Sequence, residues 1–155
     1  MLSLKYRSSI VVLGTKICGQ DVMQKYQLSF AKVNVLNEYI AEVIVGQDVV
    51  ISLEMSEEYD DFLTNIFSND FALLINKINQ YDFSFEAKVS MASHDNLAAI
   101  AVVTYDNESK TSVGKISAIR QRDGWNLKVF DGLNLGWQEG LDWLQGELNS
   151  EALNN

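Results

Sequence analysis

From residue 26 onward, apolar and polar side chains take turns along the chain. Leu28 and Phe30, with Lys32 and Asn34, and then Ala41, Val43 and Val45 fall on alternating positions around Asn37-Glu38. A period of two with a turn at its centre predicts a β-hairpin with one half-buried face. A second turn, Gly46-Gln47-Asp48, leads into Val49 to Ile51, after which the period becomes helical and Phe62, Leu63, Ile66 and Phe67 fall on one stripe. Ser52 or Ser56 is placed to cap that helix, and the acids from Glu54 to Asp61 crowd its first turns, where the helix dipole favours negative charge.

Two continuous apolar runs follow, FALLI at 71–75 and LAAIAVVTY at 97–105. Runs of this kind are the mark of parallel strands covered on both faces. Between them a polar turn and a short amphipathic segment near 84–91 predict a helix, and Ser93-His94-Asp95-Asn96 a loop. Asp106 or Asn107 caps a further helix with Val113, Ile116 and Ile119 facing inward, and Asp123-Gly124 precedes a short strand, Trp125 to Phe130. The last helix starts near Asn134 and carries Trp137, Leu141, Leu144 and Leu148 on one stripe, despite three glycines. The fold class is therefore α/β: a single-domain mixed sheet, with an antiparallel N-terminal hairpin followed by helix-strand repeats.

Residues 1–25 are expected to form an N-terminal extension, with Ile10 to Leu13 as an alternative extra edge strand. Residues 26–149 form the domain and 150–155 a frayed tail. Lys5 and Arg7 ahead of Ser8 to Leu13 resemble a secretory leader, but Lys16 interrupts the apolar stretch and no small-residue cleavage site follows. No run approaches the roughly 20 apolar residues of a membrane-spanning helix.

Composition narrows the partners. A chain of 155 residues, 47% hydrophobic, is the size of one domain with a full core. A formal charge of −9 disfavours nucleic acid and anionic membranes, which need a basic surface. The single cysteine, Cys18, cannot form an internal disulfide, which fits a cytoplasmic location.

The element order, together with FALLINKINQY, LAAIAVVTYDNESK, WNLKVFD and LGWQEGLDWLQ, resembles STAS-like domains, the SpoIIAA-like anti-sigma-factor-antagonist family. The likeness spans about Tyr26 to Leu148. In antagonist members, a serine at the start of the helix after a central strand is phosphorylated by a partner kinase, and the added charge breaks a protein complex. Ser84 is the nearest positional counterpart, but the Asp-Ser-Ser/Thr type of motif is missing and Ser84 lies between two phenylalanines. A helix cap is its competing role.

The chemistry that remains is sparse. A catalytic triad needs a base beside its nucleophile, and the one histidine, His94, reads as a solvent-exposed loop residue. One Cys and one His, far apart, show no zinc spacing, and no glycine-rich segment joins a strand to a helix in phosphate-binding form. No metal and no cofactor is expected. In open α/β sheets ligands bind beyond the carboxyl ends of the strands. The residues delivered there are Asn76, Lys77, Asn79 and Tyr81 from one strand end, Thr104, Tyr105 and Asp106 from the next, and Asp131 from the last. Amides, phenols and an ammonium suit recognition rather than catalysis. The alternative is that Asn76 and Asn79 satisfy turn backbone while Tyr81 packs on the core.

Two functions follow as expectations. The first is a non-enzymatic regulatory or protein-interaction domain that binds a protein partner at the carboxyl edge of the sheet, a setting compatible with a homodimer. The second is a carrier of a small apolar ligand or lipid in a cavity between sheet and helices, with Phe62, Phe67, Phe83, Phe85 and Trp137 as candidate lining.

Overall fold

The computed structural model describes the backbone of residues 7–10, 15–17, 20–22, 24–90, 94–111, 113–114 and 126–154, and side chains within 24–88, 94–111, 113–114 and 126–150. Its centre is a seven-stranded mixed sheet. The strands are β1 (Arg7–Ile10), β4 (Gln24–Gln27), β5 (Ala31–Val35), β6 (Ile40–Val45), β8 (Phe71–Lys77), β10 (Leu97–Thr104) and β11 (Leu127–Asp131), side by side in that order. The first four pair antiparallel, and β6, β8, β10 and β11 pair parallel. This is the mixed α/β sheet expected from the pattern. Two small ladders lie apart from it: β2 (Thr15–Ile17) with β3 (Gln20–Val22), antiparallel, and β7 (Val49–Ile51) with β9 (Tyr81–Phe83), parallel.

Several boundaries differ from the sequence reading. The opening strand is two strands: the chain turns at 28–30, where Leu28 N–H donates to the Ala31 carbonyl, so β4 and β5 form a hairpin of their own. Both sides of the turn keep their apolar residues on one face of the sheet, and to do so the apolar positions change phase at Phe30-Ala31, from 26, 28 and 30 to 31, 33 and 35. Tyr81 to Phe83, expected as turn, is the strand that pairs with β7. Arg7–Ile10 joins the sheet edge by pairing with β4. Part of the expected helix through Arg120, Ile116 and Ile119 included, lies outside the described residues, as does Trp125.

The helices are α1 (Leu53–Ile66), α2 (Phe85–Ser90), α3 (107–111, with 113–114 also helical) and α4 (Gly136–Asn154). Their starts are capped by side chains the sequence offers. Ser52 Oγ accepts from Met55 N–H, Ser84 Oγ from Ala87 N–H, and Asp106 Oδ1 from Ser109 N–H.

Strand order is sequential across the parallel half, so α1, α2 and α3 fall on one face and α4 alone covers the other. On the first face Val33, Val43 and Leu73 meet Phe62 and Leu63 of α1 and Phe67 at its end, and Ile100 and Val102 meet Val113. On the second, Ala72, Leu74, Ala101 and Val103 meet Trp137, Leu141 and Leu144, the stripe legible in the sequence. Gly140 lets α4 approach closely, because a Cβ there would lie 3.4 Å from the Ala101 methyl. Among the described residues no helix is long and apolar enough to cross a membrane.

Candidate functional site

The polar end of FALLINKINQY is where the sequence places a binding edge, and alternation along β8 sends its residues to opposite faces. Asn76 points to the α4 face and is buried. There it joins a polar cluster around Glu42 of β6, which is 0% exposed. Glu42 Oε1 accepts from Asn34 Nδ2 at 2.8 Å, and Oε2 from Asn76 Nδ2 at 2.9 Å and Trp137 Nε1 at 2.7 Å. Tyr105 OH donates to Asn76 Oδ1 at 2.7 Å. Three neutral N–H donors converge on one carboxylate, so a group costly to bury is fully satisfied. Asn76 and Tyr105 are thereby committed to tying β6, β8, β10 and α4 together.

The other predicted residues are held in a similar way. Asn79 Nδ2 donates to the Val45 carbonyl at 2.9 Å, fixing the turn after β8 against the end of β6. Asp106, besides capping α3, accepts from Gln80 Nε2 at 2.8 Å, and these bonds hold its carboxyl below the usual carboxylate range. Asp131 Oδ1 accepts from Leu133 N–H at 3.0 Å and Oδ2 from Asn134 Nδ2 at 2.7 Å, capping the 3-10 turn Gly132–Asn134 ahead of α4. β10 and β11 send their connections to opposite faces, the place where a crevice opens in such sheets. Here the Tyr105 ring fills it, lying so close to Gly132 that a Cβ on that residue would overlap the ring. The edge thus gathers its residues mainly into caps and braces. Ser84 sits at the start of α2 as a cap.

Lys77 and Tyr81 belong to the opposite face. Lys77 is 5% exposed, its Nζ lies 3.6 Å from the centroid of the Tyr81 ring, and it donates to the Tyr81 carbonyl at 3.3 Å. Burial lowers the pKa of this ammonium, opposed by the nearby Asp106, Asp82 and Glu108.

Beyond Tyr81 the sheet and the helices do not close. A cavity of about 150 Å³ lies between the faces of β6, β8 and β10 and the helices α1 and α3. Val43, Leu73, Ile75, Ile100 and Val102 form its floor, with Leu63 and Phe83 among its walls. Among the described residues the polar groups that reach it are Ser56, Tyr59, Asp60, Tyr81 and His94. Among the five aromatic residues expected to line such a space, Phe83 does so. Phe62 and Phe67 are packed in the core, Phe85 is exposed, and Trp137 is on the other side of the sheet.

His94 is not the free loop residue that its neighbours in sequence suggest. Its ring packs edge-on against Phe71, with centroids 5.1 Å apart. Nδ1 accepts from Asn96 N–H at 3.4 Å, and Nε2 lies 3.1 Å from Thr64 Oγ1, which donates to the Asp60 carbonyl at 2.9 Å. The histidine thus fastens the loop before β10 to α1 at the cavity rim. Burial raises the Asp60 carboxyl pKa, an effect the nearby His94 offsets.

Glu42 and most of the cavity's lining escaped the sequence reading for different reasons. A signal for Glu42 was present: once Ala41, Val43 and Val45 take one face, Ile40, Glu42 and Ile44 take the other, an acid between two isoleucines. The cavity has no such signal, because its floor reads like any other core face. Among the described residues no group of three or more acids, histidines or cysteines could hold a metal ion. Compared with protein-family models, curated proteins and solved structures, the chain matches none.

Proposed function

We propose that this protein binds a small, mainly apolar molecule in the chamber between its sheet and helices α1 and α3. The observation that carries the reading is the chamber itself. Well-packed interiors leave few voids larger than a water molecule, whereas this one has about 150 Å³ of space over an aliphatic floor. An apolar cavity of roughly that size is large enough for a benzene-sized molecule. The polar residues of the carboxyl edge, by contrast, are engaged in caps and in the Glu42 cluster, which leaves them less to offer a ligand.

The reading is tested by native mass spectrometry of the purified protein beside a Val102→Phe variant, whose larger side chain fills the chamber from its floor. A bound small molecule that is present on the parent and lost from the folded variant supports it. Retention of the same molecule by the variant places the ligand elsewhere and refutes it.

One observation favours a second reading, a STAS-like protein-interaction domain in the cytoplasm. Ile78, Leu133 and Leu135 are exposed at the carboxyl edge, Leu135 at 78% and in a left-handed conformation with φ 64°. Exposed leucine side chains beside strand ends suit contact with another protein. If this edge is the functional surface, Leu133→Ser with Leu135→Ser abolishes partner capture from the source cell and leaves ligand binding in the chamber intact.

A further inference from the structure

The chamber is not uniformly apolar, and its polar groups differ in what they have left to give. Tyr59 of α1 and Tyr81 of β9 both line it and lie close enough for the charge state of one to influence the other. Their rings are fixed: Tyr59 packs edge-on against Phe30 with centroids 6.3 Å apart, and Tyr81 against Phe83 at 6.0 Å with Lys77 Nζ over its face. Their hydroxyls are not. Among the described residues neither phenol oxygen has a hydrogen-bond partner, although every enclosed side-chain nitrogen and oxygen does. The two oxygens are therefore not sealed in packed protein, and both belong to residues that line the chamber. A polar group in such a place costs free energy until something bonds to it.

We propose that the ligand is a neutral molecule with a carbonyl oxygen at one end of an apolar body, and that this oxygen accepts the O–H groups of Tyr59 and Tyr81. The inference rests on the reading of the chamber as a ligand site. The sense of the hydrogen bonds is set by the phenols. Burial raises the pKa of both above the ordinary value of 10.0, so each keeps its proton and donates. Charge selects against an anion. Among the described residues no lysine or arginine lines the chamber, Asp60 is on the wall next to Tyr59, and the Lys77 ammonium is already bonded to the Tyr81 carbonyl. A cation gains little, because burial of part of the Asp60 carboxyl disfavours its charge and water screens the exposed remainder. An acceptor without charge is what two unpartnered O–H donors on half-buried tyrosines beside an aliphatic floor fit.

Four probes of similar shape separate these terms: ethylbenzene, acetophenone, benzoate and benzylamine, each titrated into the full chain and followed by NMR. Acetophenone should bind about fivefold to tenfold more tightly than ethylbenzene, the ratio that one to one and a half kcal/mol of net hydrogen bonding produces. Tyr59→Phe and Tyr81→Phe should each narrow that ratio and leave ethylbenzene affinity within about twofold, since a phenylalanine keeps the wall and removes only the donor. Equal binding of ethylbenzene and acetophenone refutes the inference and leaves the apolar site standing. Tightest binding by benzoate or benzylamine also refutes it. If ethylbenzene and acetophenone both fail to bind, the ligand-site reading falls and this inference falls with it.

Discussion

Replacing Trp137 by phenylalanine removes one N–H from the buried Glu42 carboxylate and leaves most of the ring's packing in place. The bond lost is 2.7 Å long, and Trp137 is only 5% exposed, so water does not readily take its place. Hydrogen bonds to charged groups contribute about 1.5–3 kcal/mol, and the smaller ring leaves a void that adds about 1 kcal/mol by the usual cavity cost. Trp137→Phe should therefore cost about 3 kcal/mol, a large share of the roughly 5–15 kcal/mol that holds a domain together. Urea unfolding followed by circular dichroism measures it, with a lower midpoint and an unchanged slope as the expected form.

The same measurement on Glu42→Gln and on the double variant separates bonding from packing. Glutamine keeps the shape but offers a neutral acceptor, so the tryptophan N–H should matter less in that background, by about 1 kcal/mol of coupling. A cost below about 0.5 kcal/mol for Trp137→Phe, or additive losses, would show that the indole N–H does not help to hold the carboxylate.

Three other outcomes follow from the geometry. Ser52→Ala, which removes the Met55 N–H acceptor at the start of α1, should cost about 1 kcal/mol in thermal or chemical unfolding. Gly136→Ala should destabilise by about 1–3 kcal/mol, because a Cβ there would overlap the Asp131 backbone. Gly146→Ala, with nothing within 4 Å, should stabilise α4 by up to about 1 kcal/mol in the same assay. The phenols give a pH signature with a definite sign. Tyr59 and Tyr81 have folded pKa values raised above 10.0, so above pH 10 the unfolded chain releases protons that the folded chain keeps, and stability falls. Below pH 10 both states hold the proton and the effect vanishes. Lys77 acts oppositely: its lowered folded pKa makes stability rise with pH up to its ordinary 10.5. Tyr81→Phe should flatten the loss above pH 10 in unfolding measured across that range.

The strongly periodic parts of the sequence translate directly into structure. Trp137, Leu141 and Leu144 line up against the sheet because a helical period forces them onto one side, and FALLI and LAAIAVV become adjacent central strands because continuous apolar runs need cover on both faces. What stayed hidden depends on contacts between distant residues. The β4–β5 turn is marked only by a change of phase at Phe30-Ala31, where the apolar positions pass from Tyr26, Leu28 and Phe30 to Ala31, Val33 and Val35, and an alternation read through Lys32 and Asn34 runs past it. Asn76 and Tyr105 read as an exposed recognition pair, yet Glu42, 34 positions before Asn76, draws that amide inward. Asp131 ends β11 and Asp106 follows β10, but whether a carboxylate there caps a turn or meets a ligand depends on where the next N–H lies. A cavity between sheet and helices was among the expectations, but its lining is the extreme case: the side chains of its floor are ordinary core residues, and the space above them is a property of how α1 and α3 sit on the sheet.

The central claim is that this space admits a ligand. Methyl resonances of Val43, Leu73, Ile75, Val102 and Leu127, all around the chamber, report on it directly when ethylbenzene is titrated into the protein. The account predicts saturable shifts confined to these methyls and lost in Val102→Phe. Methyls that stay unmoved at the solubility limit of the probe, or shifts that persist in the variant, would contradict it.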